Sequence, residues 1–361
     1  MVDIFTMSPL FNDIESDQSF IIDINKWLSK ENIKAKLKLF PYVDYNEPLQ
    51  TALEYYNQPI RNIVTEGYFG FSTESRYGYA NSNEILILDV GSILGNNIVP
   101  QIAKAPLMSS THEIGRVLKK KVKSETKKII FVNITNMAPD LGFGFLEELG
   151  IEFFDRSNKK MKISSGKIGQ INSFSYERLP RKWLNYEYFI LNNVDGFIPL
   201  TGDNSISYKN QILTGASPEI AKLLDRETLK VVNTFEKILD KRIMYQPEAS
   251  VGNGFAFGCL SFFRNVVVQD QFQAFLDLTD FGEDIQQSDY FILPDYHLSF
   301  RSLLEKQNKV SFILSNEAMN LSRKNEIEVP TMEICIENKK WLQRQIQTMI
   351  KVFYLNRIVN K

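Results

Sequence analysis

The stretch from Lys128 to Gly150, KIIFVNITNMAPDLGFGFLEELG, constrains the fold more than any other part of the chain. Ile129 to Val132 are consecutive apolar residues, mostly β-branched or aromatic, as expected of a strand covered on both faces of a parallel sheet. The pattern then breaks. Asn133 to Asp140 is polar and contains Pro139, which disfavours helical geometry at Ala138, so the chain must turn before Asp140 caps a new helix. Gly142 and Gly144 let other backbone come close. In open α/β sheets ligands bind at the carboxyl ends of strands, and a helix start there can offer N–H groups to an anion. This loop is therefore the first candidate site, although the same residues also suit an ordinary strand-to-helix connection with a capping aspartate.

A chain of 361 residues with 43% hydrophobic side chains can bury a sizeable core and is expected to form two domains. Lys and Arg number 42 against 43 acidic residues, so no bulk field recruits nucleic acid or a membrane surface. The dense basic run Val117 to Lys128, VLKKKVKSETKK, reads as the solvated end of a helix, where cations suit the dipole. Cys259 and Cys335 lie in apolar surroundings and form no disulfide framework or metal spacing, which fits a reducing cytoplasm. No stretch reaches eighteen apolar residues, and MVDIFTMSPLF lacks a signal pattern, so neither a membrane span nor secretion is expected.

In chain order, Val2 to Met7 reads as a strand and Ser16 to Lys30 as a helix whose buried stripe is Ile21, Ile22, Ile24, Trp27 and Leu28. Lys36 to Tyr42 is a second strand, and Leu49 to Tyr56 a helix. FSTESRYGY and NEILILDV form a hairpin turning at Ala80 to Asn83. Ser109 to Val122 reads as a helix carrying His112, which has no nearby cysteine or second histidine to share a metal. Glu187 to Asn192, Tyr290 to Leu293 and Lys309 to Leu314 are further strands. Ser217, Pro218 and Glu219 give a strong helix start running to Asp240. Thr331 to Leu355 is expected to be one amphipathic helix, with Leu342, Ile346, Met349, Ile350 and Phe353 on its apolar face. SSGK near Lys167 lacks the first glycine of a phosphate loop, and Gly252 and Gly254 give only a weak G-x-G.

Several motifs, in order, resemble those of the class I glycerate kinases. Asp140, Gly142, Gly144, Leu146 and Leu149 match that family's G-G-S-A-T-N-D-G-G-A-G loop and the helix after it. Phe11 is kept from A-P-D-S-F-K-G, with Asn12 at the lysine. Asp44 and Glu47 match V-A-D-G-G-E-G, Arg76-Tyr77-Gly78 match A-R-Y-G, and Asp89 stands at the glutamate of V-I-E-M-A. STHEI, from Ser110 to Ile114, lies where the family reads G-T-G-E-L. Pro199, Leu200 and Gly202 follow an Asn193 that replaces a carboxylate, and Gly215 to Glu219 resembles K-G-A-x-P-E. Near the C-terminus, Asp289 and the strand after it are kept, and Asp295 replaces a glutamate.

The resemblance implies an α/β fold of two α/β domains. Residues 1–60 with 266–361 would form a terminal domain around a mostly parallel sheet, 61–265 an inserted one, with a ligand cleft between them. It also implies transfer of a phosphoryl group from ATP, with Mg2+, to a hydroxyl of glycerate or a related small hydroxy acid. Asp140, Asp295 and Asp289 are then the metal or base candidates. Arg76, Asp44, Glu47, Asn12 and Asn193 fall at substrate positions, and Asn136, Gly142, Gly144 and Gly254 at nucleotide positions. Arg76 could hold a substrate carboxylate bidentately or form a cross-strand ion pair. Against this, Ile134, Thr135, Tyr45 and Pro48 fill glycine positions, while Asn12, Asn193 and Ser299 remove one cation and two carboxylates. The alternative is a pseudokinase that binds a metabolite or a protein partner.

Overall fold

The computed structural model describes residues 2–7, 14–40, 58–67, 72–94, 105–134, 138–192, 198–209, 215–270, 281–288, 290–294, 310–315 and 331–335, with residues 49, 53, 274 and 304 and most of 343–351. The chain divides into two units, Met1–Asp44 with Phe275–Lys361, and Tyr45–Ala274. The boundaries fall elsewhere than at residues 61 and 265. Leu49 and Leu53 are buried, and Leu53 sits so close to Gly78 that a Cβ there would meet Leu53 Cδ1 at 2.3 Å. At the other end Val266–Asp270 pairs with Glu187–Asn192, which draws it into the central unit.

The unit built from both chain ends contains β1 (Val2–Met7), α1 (Ile14–Lys30), β2 (Ala35–Phe40), α7 (Phe281–Gln287), β11 (Tyr290–Pro294), β12 (Val310–Ser315) and β13 (Thr331–Cys335). Its sheet runs β13-β12-β11-β1-β2, and every pairing is parallel. Phe20, Ile21, Ile24 and Leu28 bury the inner face of α1, at the i, i+4 and i+8 spacing of a helical stripe. Ile22, expected in that stripe, is 52% exposed, because its position lies on the opposite side of the turn. The Asn25 side chain grips β2: its Nδ2 donates to Leu37 O at 2.9 Å and its Oδ1 accepts from Leu37 N at 2.8 Å. The expected helix from Thr331 is corrected. TMEIC is a strand paired with β12, as its alternating Met332 and Ile334 allow, and among the described residues that follow, helix appears within 343–351, where Ile346 and Ile350 are buried.

The central unit contains β3 (Arg61–Thr65), β4 (Thr73–Ala80), β5 (Ile85–Asp89), α2 (Val90–Leu94), α3 (His112–Lys121), β6 (Lys128–Val132), α4 (Phe143–Leu149), β7 (Glu152–Phe154), β8 (Ser173–Ser175), β9 (Glu187–Asn192), α5 (Pro218–Leu239), α6 (Phe255–Phe262) and β10 (Val266–Asp270). The order β10-β9-β6-β5-β4-β3 places β6 inside the sheet. β5, β6, β9 and β10 are parallel, while β4 runs against both its neighbours. Ile129, Phe131 and Val132 are buried, as the uninterrupted apolar run requires. Around them Phe131 meets Phe255 edge-on at 5.3 Å and Phe143 stacks on Phe235 at 4.7 Å, so α4, α5 and α6 share one aromatic core with the sheet. β7 and β8 form a separate antiparallel pair.

Candidate functional site

At the carboxyl edge of the central sheet, strand β5 ends in a polar residue and β6 is followed by one. Asp89 closes β5 and starts α2, taking Ser92 N on Oδ1 at 3.2 Å while Ser92 Oγ donates to Asp89 O at 2.8 Å. Asn133, directly after β6 and in the left-handed region at φ 54°, donates its Nδ2 to the same Oδ1 at 3.1 Å. The other oxygen, Oδ2, accepts from Arg76 Nε at 2.9 Å and Nη2 at 2.6 Å. Asp89 is 1% exposed and Arg76 33%, so a buried carboxylate is neutralised by a guanidinium that reaches solvent. Of the two roles open to Arg76, the cross-strand ion pair is the one the structure contains.

Asp140 lies deeper. It is fully buried, and its oxygens accept from Thr111 N at 2.7 Å, Gly142 N at 3.0 Å, Gly144 N at 3.2 Å and the Thr111 hydroxyl at 3.0 Å. Phe145 N donates in turn to Thr111 Oγ1 at 2.9 Å. Burial raises the Asp140 pKa above the ordinary carboxylate range, against the opposing pull of these donors. Asp140 thus fastens the start of α3 to the start of α4, a more extended form of its expected capping role. The glycines expected to cradle a nucleotide have their N–H groups engaged internally: Gly142 and Gly144 on Asp140, and Gly254 on Ser250 O at 2.9 Å. Their lack of a side chain serves packing. A Cβ at Gly144 would stand 2.7 Å from Asp140 Oδ2, and one at Gly254, where φ is 87°, would stand 2.3 Å from Leu141 Cδ2.

A cavity of about 420 Å³ opens beside the start of α3, lined by Ser110, His112, Arg116, Lys162 and Lys167 among others. Helix α3 delivers His112 and Arg116 to one side. Ser110 Oγ lies 2.5 Å from His112 Nδ1, and His112 Nε2 lies 2.7 Å from Glu147 Oε2 on α4. The partner of His112 is therefore a glutamate 35 positions away in sequence, which local spacing could not reveal. Arg116 bonds Glu113 at 3.0 Å and Glu148 at 3.0 Å, and Lys119 bonds Glu148 at 2.8 Å. Burial pushes the Glu148 carboxyl up, but Lys119 and Arg116 outweigh it and hold the group below its ordinary value.

Asn12, Asp44, Glu47, Asn136, Asn193, Asp289 and Asp295 lie outside the described residues. Of the expected site residues that are described, Arg76 belongs to the Asp89 cluster, while Asp140, Gly142 and Gly144 form the internal knot. Ser92, Asn133, Ser110 and Glu147 complete these arrangements without having been singled out in sequence. Ser92 had a readable signal, three residues after a strand-ending aspartate; the others depend on contacts across the fold. Among the described residues no three His, Cys, Asp or Glu side chains gather as a metal site, and no helix is long and apolar enough to cross a membrane.

The ordered motifs and the paired sheets can be set beside known proteins. A family model described as the glycerate kinase family matches residues 18–310. The chain belongs to the glycerate kinase family. Among its relatives, a glycerate kinase of Halalkalibacterium halodurans is 22% identical over 259 residues, covering 72% of this chain and 67% of that one. A glycerate kinase of Neisseria meningitidis serogroup B is 22% identical over 274 residues, covering 76% and 68%. The glycerate 2-kinase of Escherichia coli K12 is 20% identical over 202 residues, covering 56% and 52%. The crystal structure described as glycerate kinase 2 from Salmonella typhimurium LT2 superposes with a TM-score of 0.73 at 14% identity, covering 99% of both chains. This member therefore keeps the family's α/β fold from end to end while diverging widely in sequence.

Proposed function

We propose that the protein is a kinase for glycerate or a closely related small hydroxy acid, transferring the terminal phosphoryl group of ATP to a substrate hydroxyl. The observation that carries this reading is the match of the glycerate kinase model to residues 18–310, together with relatives that bear that activity in their names. The match favours an active kinase over a non-catalytic binding module. The Asp89, Arg76 and Asn133 cluster supports the reading chemically, because it sets a fixed charge pair at the carboxyl ends of parallel strands, where α/β folds bind ligands. Under this reading Asp289 and Asp295 are the candidates for magnesium and for the base, since Asp140 already accepts several internal donors. Asp44, Glu47, Asn12 and Asn193 would face the acid, and Asn136 the nucleotide. The described residues by themselves gather no magnesium site, and Gly142, Gly144 and Gly254 spend their N–H groups inside the fold.

Magnesium would neutralise the phosphate charge and the chain would position the acceptor hydroxyl. A cytoplasmic setting belongs to the same reading, consistent with a buried free Cys259 whose thiol is raised by desolvation. An ADP-release assay across small hydroxy acids, paired with calorimetry of ATP and magnesium, tests it. Turnover with glycerate or a near relative is expected. Absence of nucleotide binding would remove the kinase reading and leave the interaction module.

A further inference from the structure

Ser110, His112 and Glu147 form a continuous hydrogen-bonded row beside the 420 Å³ cavity, separate from the Asp89 cluster. With the imidazole neutral, their chemistry sets the direction of the bonds. Ile163 N can only donate, so Glu147 Oε2 accepts it at 2.9 Å, and the carboxylate then takes the Nε2–H of His112. That leaves Nδ1 with its lone pair facing Ser110, and the serine hydroxyl donates to it. A nucleophile, a base and a carboxylate orienting the base are thus in hydrogen-bond reach, the geometry that activates a serine.

The chain on either side of Ser110 is held in place. Ser109 O accepts from Ser165 N at 3.0 Å and Ser165 Oγ at 2.9 Å, and Thr111 is bound to Asp140 through both its N–H and its hydroxyl. Ser110 itself stands on the cavity wall. Lys162 and Lys167 line the same cavity and neither joins an ion pair with the described residues, whereas its two glutamates, Glu66 and Glu113, are both engaged by Arg116. Ser110 and His112 also occupy two positions that the glycerate kinase family motif G-T-G-E-L fills with glycine, so the row is a property of this chain rather than one carried by that motif.

We propose that Ser110 is an activated nucleophile, with His112 as its base and Glu147 as the residue positioning that base, acting on small esters that carry a carboxylate. Ser110 Oγ attacks the ester carbonyl as its proton passes to His112 Nδ1. The ester C–O bond then breaks, and the alcohol leaves with that proton. Water, losing a proton to His112, next attacks the acyl-serine and releases the acid, restoring the hydroxyl. Lys162 and Lys167 attract the substrate carboxylate.

The test uses the full chain without nucleotide, so its outcome does not depend on the kinase reading. Incubation with a fluorophosphonate probe should label Ser110, mapped by peptide mass spectrometry, and Ser110→Ala should abolish labelling. His112→Gln should slow it by about 10²-fold or more, the scale of a lost general base. Glu147→Gln should slow labelling as well, and Glu147→Asp, which keeps the carboxylate, should recover part of the rate. The half-ester 4-nitrophenyl succinate should be hydrolysed, with KM raised when Lys162 and Lys167 are both changed to Gln. An unlabelled Ser110 in wild-type protein shown to be folded by circular dichroism, or wild-type labelling rates in folded His112→Gln, would overturn the proposal and make the row a staple between α3 and α4. An unchanged labelling rate in folded Glu147→Gln would remove the positioning role.

Discussion

Arg76 and Asp89 face each other across β4 and β5, one step beyond the paired Tyr77 and Leu88, and both Nε and Nη2 of the arginine donate to a single oxygen, Oδ2. Asp89 Oδ1 is left to Ser92 and Asn133, so one buried carboxylate connects two strand ends and a helix start. Removing the cation would leave that charge without its guanidinium. Arg76→Ala is expected to destabilise the fold by up to about 3 kcal/mol, the lower range for breaking a buried pair because Arg76 is partly exposed. Urea denaturation measures it, and a loss below the error of the fit would show that Ser92 and Asn133 satisfy Asp89 unaided.

Asp140 separates anchoring from catalysis. Asp140→Ala strands the buried N–H groups of Thr111, Gly142 and Gly144, and at about 1–3 kcal/mol for each unsatisfied group the loss should exceed about 3 kcal/mol. Asp140→Asn keeps the shape and one acceptor oxygen. In protein that remains folded, its kcat should stay within about tenfold of wild type, whereas loss of a general base would lower it by about 10²- to 10⁴-fold. Steady-state kinetics on the folded variant decide between the two.

Gly258 faces backbone. A Cβ there would lie 2.2 Å from Leu141 O, and a carbonyl in a tight turn cannot swing aside as a side chain can. Gly258→Ala should therefore lower stability by about 1–3 kcal/mol, as overpacking does. Thermal unfolding checks this, and an unchanged Tm would mean that α6 can retreat from the loop.

Glu148 ties Lys119 and Arg116 to α4. Its carboxyl is held below the unfolded value, so the stabilisation is present above that value and is lost as pH falls through the lower, folded one. Glu148→Gln should cost about 0.2–1 kcal/mol near neutrality, the scale of a solvent-screened pair. The gap between variant and wild type should close in acid. Denaturation midpoints between neutral and acidic pH follow it, and a gap independent of pH would show that packing rather than charge is responsible.

Local sequence carried the strands well. The apolar run at Ile129 to Val132, the hairpin around Asn81 to Asn83 and the helix start at Ser217 depend on neighbours within a few residues, and each appears where its pattern placed it. Thr331 to Cys335 failed for a physical reason. Pairing with β12 lies outside any helical window, and Met332 and Ile334 satisfy a two-residue period as readily as part of a longer one. In the site, a cross-strand ion pair was legible as one of two roles for Arg76, while its partner Asp89 emerges only from the antiparallel register that sets the two opposite. Glu147 beside His112 was not, because only the packing of α3 on α4 brings them together.

The Asn25 side chain carries the same pair of groups as a peptide unit, a donor and an acceptor, and presents both to Leu37 on β2, the strand at one end of the described sheet. An extended segment from another molecule approaching that rim would meet an N–H and a C=O already matched. A single amide on a helix thus works as a one-residue guard against fibre-like stacking, and it is set in place as soon as α1 docks on β2.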